Sequence, residues 1–434
     1  MGRSKKDAGM SESEKLKRKV FKAVEAYCSA THDFSFDGTS PIVRLHEPTF
    51  SADEINAALD CMLTTQVTMG AKVKSFEKSF CMPFGHGNGV MSNSGSSANL
   101  LAIAALANPD ASDALRPGDE VIVPALSWST TVWPLIQLGL VPVVVDIDPK
   151  TLNIDPNAVE NAIGPKTRGV MIVHVYGNPC DMDAISAICA NHELTLIEDC
   201  CEALGASFGD APVGSFGRVA TFSFYFSHHM TTLEGGITIA QRADDAELMR
   251  ILRAHGWIRE VEDQERWRQR YPNIHPRFLF VNLGYNLRAT ELQGAMGMVQ
   301  LPKLDGYVSA RRTSAQWLLD RLERHSDVLQ VQSETAGGDH SWFGFPITIS
   351  ANAPFDVDDI TTALNRKGIE TRPIICGNIA RQPGLQMYPH RVHGDLTHSD
   401  AVMARGFSFG NHQDIDSVAS AYIADAIDAF LEAL

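Results

Sequence analysis

The segment GVMIVHVYGNPCDMDAISAICANHELTLIED, residues 169–199, contains one complete strand–helix–strand unit. Apolar residues dominate positions 169–175 and 194–197, which predicts two strands, and the residues at 182–191 have helical periodicity. An acidic pair, Glu198 and Asp199, closes the second strand. Two strands that are joined through a helix in this way predict neighbouring positions in a parallel sheet.

The same alternation extends in both directions, over about residues 89–240. Four further strands and three further helices are predicted there, the strands at 121–123, 141–147, 220–225 and 237–240 and the helices near 96–107, 129–138 and 156–162. The chain is therefore predicted to be an α/β protein whose mostly parallel sheet is flanked by helices.

A chain of 434 residues is too long for one simple core. We predict an N-terminal extension with a helix (1–45), a large domain (46–310) and a smaller C-terminal α/β domain (311–434). The extension begins with about 12 polar residues, and two more helices are predicted after it, one opened by a capping box at Ser51 and one over 72–81. In the C-terminal domain, SWFGFPITI (341–349) predicts a strand.

The overall charge excludes some classes of partner. The net charge is −15 and the pI is near 5.4, which argues against nucleic acid or an anionic membrane as the main partner.

No apolar run reaches the roughly 18 residues that a transmembrane helix needs. The N-terminus lacks the apolar core of a secretory signal, and the eight cysteines include no C-x-x-C pair. We therefore expect a cytoplasmic protein with reduced thiols.

Several candidate ligand-binding residues lie where strands end or helices begin. Asp199 and Trp128 follow predicted strands, and Gly95 and Ser96 open a predicted helix. Ligands of parallel sheets bind at the carboxyl ends of strands, and helix N-termini bind anions. Each residue alone has an ordinary structural alternative: a helix cap, a strand-end carboxylate, or a core or interface tryptophan. We expect Glu202 to line the same pocket as Asp199.

The segment FSFYFSHHMTTLEGG, residues 222–236, carries two histidines after a predicted strand. Adjacent side chains of extended backbone point in opposite directions, so only one of His228 and His229 should face a given site. A histidine with a pKa near 6.5 is a suitable general acid or base. No H-x-x-x-H or H-E-x-x-H spacing occurs here, and no cysteine lies between Cys201 and Cys376. We therefore predict no metal site and no iron–sulfur cluster from a local cysteine run.

An arginine-rich segment, residues 249–277, has two possible interpretations. Its seven arginines could bind a diphosphate through forked hydrogen bonds. They could equally form a solvated, self-paired surface, because four acidic residues lie among them: Glu260, Glu262, Asp263 and Glu265.

Six motifs in this order resemble the sugar aminotransferase/dehydratase family of fold-type I pyridoxal-phosphate enzymes: NSGSSANL (93–100), ALSWSTT (125–131), GNPCDM (177–182), IEDCCEALGA (197–206), SFYFSHHMTTLEGG (223–236) and GYNLRATELQGAMG (284–297). The similarity extends from about Arg44 to the C-terminus. It implies a large domain with a seven-stranded, mostly parallel sheet and a smaller C-terminal domain. It also implies a homodimer with shared active sites.

The resemblance assigns roles to the candidate residues. Gly95, Ser96 and Ser223 would hold the cofactor phosphate, Trp128 would stack on its ring, and Asp199 would pair with the ring nitrogen. Glu202 would belong to the same cofactor site. Asn286 would reach the phosphate in the neighbouring subunit.

Aminotransferases of this family carry a lysine at the position of His228. Here no lysine occurs from Thr167 to Pro302, so a covalent tether in this region is chemically impossible. The replacement resembles the 3-dehydratases of nucleotide-linked 4-keto-6-deoxy sugars. These imply pyridoxal or pyridoxamine phosphate bound noncovalently, with His228 as the acid/base. Such enzymes serve deoxysugar biosynthesis of the colitose type, including lipopolysaccharide O-antigen.

Two branches of these dehydratases remain open. SWFGF, GIETRP, RAHGWIR and FSFGNHQ resemble the branch that acts on GDP-4-keto-6-deoxy-D-mannose, with L-glutamate as the implied amino donor. The N-terminal segment and NIARQP resemble the CDP-linked branch, which carries an iron–sulfur cluster. Arg259 and Arg372 are candidate substrate contacts, and Arg372 would bind the carboxylate of the donor. A non-catalytic regulatory protein and an unusual transaminase are further alternatives.

Overall fold

The N-terminal part of the chain is helical. The computed structural model describes residues 10–111 and 113–434, so predictions for residues 1–9 fall outside it. Three helices come first: α1 (Glu12–Thr31), α2 (Ala52–Leu63) and α3 (Ala71–Phe80). The predicted capping box is present, because the Ser51 hydroxyl accepts from the backbone of α2 and the backbone N–H of Ser51 donates to the side chain of Glu54.

The alternating region contains β1 (Gly89–Ser92), α4 (Gly95–Leu106), β2 (Glu120–Pro124), α5 (Ser129–Gln137), β3 (Val141–Val145), α6 (Pro156–Ala162), β4 (Thr167–Val173), α7 (Met182–Asn191), β5 (Thr195–Asp199), β6 (Ser207–Phe208), β7 (Ala211–Pro212), β8 (Val219–Ser223), β9 (Gly236–Ala240), α8 (Ala243–Arg253), α9 (Gln264–Arg270) and α10 (Glu291–Gln300). The remainder contains α11 (Leu304–Leu322), β10 (Leu329–Val331), β11 (Gly338–Asp339), β12 (Gly344–Ile349), α12 (Val357–Arg366), β13 (Thr371–Arg372), α13 (Pro383–Gln386), β14 (Arg391–Val392), α14 (Thr397–Arg405), β15 (Gly406–Gly410) and α15 (Ser417–Leu431).

One large sheet organises this fold, with the strand order β1-β9-β8-β5-β4-β2-β3-β14. Strand β9 is antiparallel to β1 and β8, and every other neighbouring pair is parallel. The strands are buried on both faces because helices cover both, which explains their continuous apolar sequences. The predicted α/β class is confirmed. Seven strands come from residues 89–240, and an eighth, the two-residue β14, joins the edge from the C-terminal part.

A second sheet, β10-β12-β15-β13, is antiparallel and packs against α11, α12 and α15. Its core includes three fully buried aromatic side chains, Phe345, Phe407 and Phe409. The chain then returns, because Ile379 and Leu385 pack into the core of the large sheet. Helix α11 runs across residue 310, and the predicted domain boundaries stay a prediction.

Three parallel strands, β2, β4 and β5, and the neighbouring β8 direct their carboxyl ends to one edge of the sheet. The segments that follow them begin at Ala125, His174, Cys200 and Phe224. This edge is the one at which a parallel sheet binds ligands. In the described part of the chain, no helix combines the length and the apolar character that crossing a bilayer requires.

Candidate active site

A cavity of about 500 Å³ lies at this edge, between the large sheet and segments of the C-terminal part. Eight of the predicted site residues line it: Gly95, Ser96, Trp128, Asp199, Glu202, Ser223, His228 and Arg372. These residues are up to 277 positions apart in the sequence, so the fold alone brings them together.

The N-terminus of α4 lines one side of the cavity. Ser94 caps the helix, and its hydroxyl accepts from the backbone N–H of Ser97 at 3.1 Å. A Cβ on Gly95 would lie 2.5 Å from the Cβ of Ser223, so only glycine permits this close approach of helix and strand. The hydroxyls of Ser96 and Thr130 are 3.0 Å apart at the same end. Backbone N–H groups, hydroxyls and the helix dipole suit a bound phosphate.

Asp199 forms the floor of the cavity and is 4% exposed. Its Oδ2 accepts from Asn99 Nδ2 at 2.9 Å and from Thr131 Oγ1 at 2.8 Å. Its Oδ1 accepts from the backbone N–H of Cys201 at 3.1 Å. These three hydrogen bonds fix the orientation of a carboxylate that lines the cavity.

Trp128 forms a flat wall of the cavity. It caps α5 through its backbone, and 57% of its surface is exposed. A core tryptophan would be buried, so this exposure contradicts the core alternative. A ring that faces a ligand and a tryptophan at a protein interface both fit it.

The two histidines lie in different surroundings, so only one of them faces the cavity, as predicted. The predicted reason is wrong, because β8 ends at Ser223 and the pair lies in a turn and not on extended backbone. His229 is fully buried, and its Nε2 lies 3.0 Å from the carbonyl oxygen of Ser341. His228 lines the cavity, and a turn sets its position because its backbone N–H donates to the carbonyl oxygen of Tyr225 at 3.0 Å. Its ring centroid is 5.1 Å from that of Phe343. The His228 Nδ1 is buried and has no hydrogen-bond partner among the described residues.

The imidazole of His228 is in a non-polar, electropositive setting. Burial lowers its pKa to about 3, and the nearby side chains of Arg372, Arg311 and His46 act in the same direction. The ring is therefore neutral at pH 7 and available as a base.

Arg372 and Glu202 are two ionisable side chains that also line the cavity. The Arg372 guanidinium lies over the rings of Tyr176 at 5.8 Å and Phe343 at 5.6 Å. The pKa of Arg372 is raised, first by Tyr176 and then by Glu202. Burial raises the pKa of Glu202 to about 7, although its Oε2 accepts from the Tyr176 N–H at 3.0 Å.

Two predicted residues lie outside this cavity. Asn286 is exposed, and its Oδ1 accepts from Arg288 Nε at 3.0 Å. Arg259 is also exposed, with its guanidinium 5.2 Å from the ring of Trp257. Elsewhere in the arginine-rich segment, Arg268 pairs with Glu265 at 3.7 Å, as the self-paired interpretation predicts for that residue. Arg253 fits neither interpretation, because it is buried against Glu77, which lies outside the segment.

Further cavity residues escaped the sequence reasoning: Asn99, Thr131, Tyr225, Ser227 and Phe343. The first four lie inside the family motifs at 93–100, 125–131 and 223–236, so their neighbourhood was the available signal. Phe343 lies in SWFGF (341–345), which resembles one branch of the dehydratases, but nothing in that motif singles out this residue as a cavity residue.

One group of potential metal ligands occurs in the described part of the chain: His174, Glu198 and Cys200. His174 Nδ1 accepts from the Cys180 N–H at 3.0 Å, and both Glu198 oxygens accept backbone N–H bonds from Gly214, Phe216 and Gly217. Because the His174 and Glu198 atoms already have partners, these two residues form a buried hydrogen-bond network at the end of β5.

Comparisons with known proteins identify the family of the chain. Residues 48–428 match the DegT/DnrJ/EryC1/StrS aminotransferase family. GDP-4-keto-6-deoxy-D-mannose 3-dehydratase of Yersinia pseudotuberculosis is 40% identical over 375 residues, which cover 85% of this chain and 94% of that protein. The dTDP-4-dehydro-2,6-dideoxy-D-glucose 3-dehydratase of Saccharopolyspora spinosa is 35% identical, with 96% of this chain and 92% of that protein covered.

A solved structure is similar over the whole fold. It is a GDP-4-keto-6-deoxymannose-3-dehydratase with a trapped PLP-glutamate geminal diamine. The TM-score is 0.82 and the identity 36%, and the match covers 89% of this chain and all of that one (100%).

Proposed function

Since the chain belongs to the DegT/DnrJ/EryC1/StrS aminotransferase family, we propose that it is a pyridoxal/pyridoxamine-phosphate-dependent 3-dehydratase of GDP-4-keto-6-deoxy-D-mannose. The observation that carries this proposal is the identity of the base in the cavity. By the family resemblance, His228 stands at the position of the aminotransferase lysine. It lines the cavity, and no lysine is among the described residues that do so. A transaminase that tethers its cofactor is therefore the weaker alternative.

The cavity residues fit the cofactor. The N-terminus of α4, with Gly95 and Ser96, and the adjacent Ser223 would hold the phosphate, and Trp128 would cover one face of the ring. The fixed, buried Asp199 carboxylate suits a protonated pyridine nitrogen. When bound, pyridoxamine phosphate supplies an amine for the C4 ketone of the sugar and an electron-withdrawing ring that weakens the C3–oxygen bond.

The chain supplies the proton transfers. His228 is neutral at pH 7 and accepts a proton, and the same imidazole then donates it to the departing C3 hydroxyl. The His228 Nδ1 has no hydrogen-bond partner among the described residues, so no fixed contact opposes either proton transfer. The balanced overall reaction converts the sugar nucleotide and L-glutamate into the 3-deoxy-4-keto sugar nucleotide, 2-oxoglutarate and ammonia.

Arg372 is the proposed contact for a glutamate carboxylate. It is a cation in the cavity wall whose guanidinium already lies against two aromatic faces, so its position is fixed before the donor arrives. A similar dehydratase has been captured with a PLP-glutamate geminal diamine, which supports glutamate as the donor.

We infer a homodimer with shared sites. Asn286 and Arg259 lie outside the cavity of their own chain, and the segment before Asn286 exposes large apolar side chains: Phe278 (62%), Phe280 (53%) and Leu283 (91%). An apolar surface of this kind indicates a contact with another protein. Sedimentation should show a dimer for the wild type and a smaller species for Leu283→Asp.

We also infer a cytoplasmic location, because all eight cysteines are free.

Product analysis tests the function. The protein with pyridoxal phosphate and L-glutamate should form pyridoxamine phosphate and 2-oxoglutarate. Adding GDP-4-keto-6-deoxy-D-mannose should then release one ammonia per sugar converted. The CDP- and dTDP-linked substrates, assayed in parallel, decide the nucleotide. An amino sugar formed without ammonia would contradict the proposal, and bound iron would favour the cluster-bearing alternative.

A further inference from the structure

One side chain from the C-terminal part touches both the proposed base and the proposed donor contact. The Phe343 ring centroid is 5.1 Å from that of His228, and the Arg372 guanidinium is 5.6 Å from the same ring. The ring also contacts Tyr176, on which Arg372 lies, at 5.9 Å. Phe343 is 7% exposed and lines the cavity.

The backbone of Phe343 is fixed from two directions. Its N–H donates to the carbonyl oxygen of Tyr176 at 2.7 Å, which joins it to the segment after β4. Its carbonyl oxygen accepts from Arg311 Nη1 at 3.0 Å, which joins it to α11. Arg311 is itself buried and also donates to the carbonyl oxygens of Trp342 and Asn411. The ring is therefore placed by contacts with both parts of the molecule.

His228, by contrast, has little else to orient it. Its Nδ1 has no hydrogen-bond partner among the described residues, and its other ring neighbour, Tyr225, is 6.0 Å away and 47% exposed. Catalytic histidines are often oriented by a carboxylate. Here a buried aromatic face takes that place.

We propose that Phe343 is a positioning residue that fixes the His228 imidazole and the Arg372 guanidinium relative to each other. This inference rests on the proposed function for its kinetic consequences, although the contacts themselves belong to the protein without ligands. A ring that excludes water from the base and also holds the neighbouring cation serves both half-reactions. The charges of Arg372, Arg311 and His46 act on the pKa of His228. Three further titratable side chains line the same cavity: Tyr225, Glu202 and Glu234.

The test compares Phe343→Leu with Phe345→Leu. Phe345 lies on β12, is fully buried and packs against Trp342 and Phe409 in the C-terminal core, so its replacement controls for the loss of an aromatic side chain. Unfolding midpoints should fall in both variants, so a general loss of stability would affect the two alike.

The first readout uses the protein without cofactor. Histidines labelled with ¹³C are titrated by NMR, and the His228 signal is assigned by its absence in His228→Asn. In the wild type and in Phe345→Leu, this signal should stay that of a neutral ring down to about pH 5. In Phe343→Leu it should titrate at a higher pH, because water reaches the ring and Arg372 is released.

The second readout is kinetic. In Phe343→Leu, the KM for glutamate should rise about tenfold and kcat for ammonia release should fall about tenfold, whereas Phe345→Leu should change each by less than about threefold. Phe343→Tyr should restore most of both, since it keeps the aromatic face. A change in only one of the two kinetic parameters, or equal changes in the two leucine variants, would overturn the shared role of Phe343. If the wild type forms no pyridoxamine phosphate, the proposed function fails while the NMR titration still decides the contact.

Discussion

The two walls of the cavity depend on different kinds of sequence information. The wall from the large sheet carries Gly95, Asp199 and His228, each within about five residues of a strand end or a helix start. The wall from the C-terminal part carries Phe343 and Arg372, whose places depend on packing between distant segments. The first wall holds the groups for cofactor and proton transfer, and the second positions them and provides a cation. The proposed cofactor and proton-transfer groups therefore take their places from nearby strand ends and helix starts. The residues that position them take theirs from packing between segments far apart in the sequence.

The largest expected effect concerns the first wall. His228→Asn should lower ammonia release at least about 1,000-fold, because the proposed mechanism assigns both proton transfers to this one imidazole. Steady-state kinetics at saturating glutamate measure this loss. His398→Asn, which changes an exposed histidine, is the matched control and should retain full activity. Activity within about tenfold of wild type in His228→Asn would show that the first wall does not hold the proton-transfer group.

A related variant tests the missing tether. His228→Lys should abolish dehydration and should form a covalent adduct with pyridoxal phosphate, detected as a mass increase after borohydride reduction. Peptide mapping should place this adduct at position 228. The wild type, treated identically, is the control, because its segment from Thr167 to Pro302 has no lysine to react. If the lysine variant carries no adduct at position 228, this wall does not hold the cofactor aldehyde.

The next effect concerns Asp199, which also belongs to the first wall. Asp199→Asn keeps the shape of the side chain and its bond from Thr131, but removes the negative charge that a protonated ring nitrogen requires. Formation of pyridoxamine phosphate from glutamate should slow about 100-fold in stopped-flow absorbance. Asp183→Asn, at an exposed position of α7, should leave the rate unchanged. Equal rates in Asp199→Asn and wild type would show that this carboxylate does not contact the ring.

The second wall predicts a smaller and more selective change. Arg372→Met should raise the KM for glutamate at least about tenfold and leave the KM for the sugar nucleotide within about twofold, because a charge-assisted carboxylate contact contributes roughly 1.5 to 3 kcal/mol. Arg366→Met, at an exposed position of α12, is the control. Equal increases for both substrates would instead indicate that Arg372 supports the cavity as a whole.

The difference between the walls also explains how much the sequence alone can predict. Six strands and all four helices between residues 89 and 240 follow from the apolar patterns, whereas β1 and the short β6 and β7 do not. Asp199 and His228 follow from their places after strands, together with the family resemblance. Phe343 could not be found in this way, because a phenylalanine beside a buried strand looks the same whether it faces a core or a cavity. The return of Ile379 and Leu385 to the large sheet was missed for the same reason: periodicity describes an element and not its partner.

The last effect is on stability and not on activity, and it concerns Glu202, a carboxyl group that lines the cavity. Its pKa is about 7 in the folded protein and 4.5 is its ordinary value, so the folded state keeps a proton that the unfolded chain loses between these pH values. The contribution of Glu202 to stability is therefore fully present below pH 4.5 and is lost as the pH rises to 7.

Urea unfolding of the protein without cofactor measures this contribution. Relative to Glu202→Gln, the wild type should lose about 2 kcal/mol of unfolding free energy between about pH 5 and about pH 8. Glu160→Gln, at an exposed position of α6, is the control and should follow the wild type. Parallel pH dependence in wild type and Glu202→Gln would mean that the carboxyl is solvated, and that the walls do not enclose it.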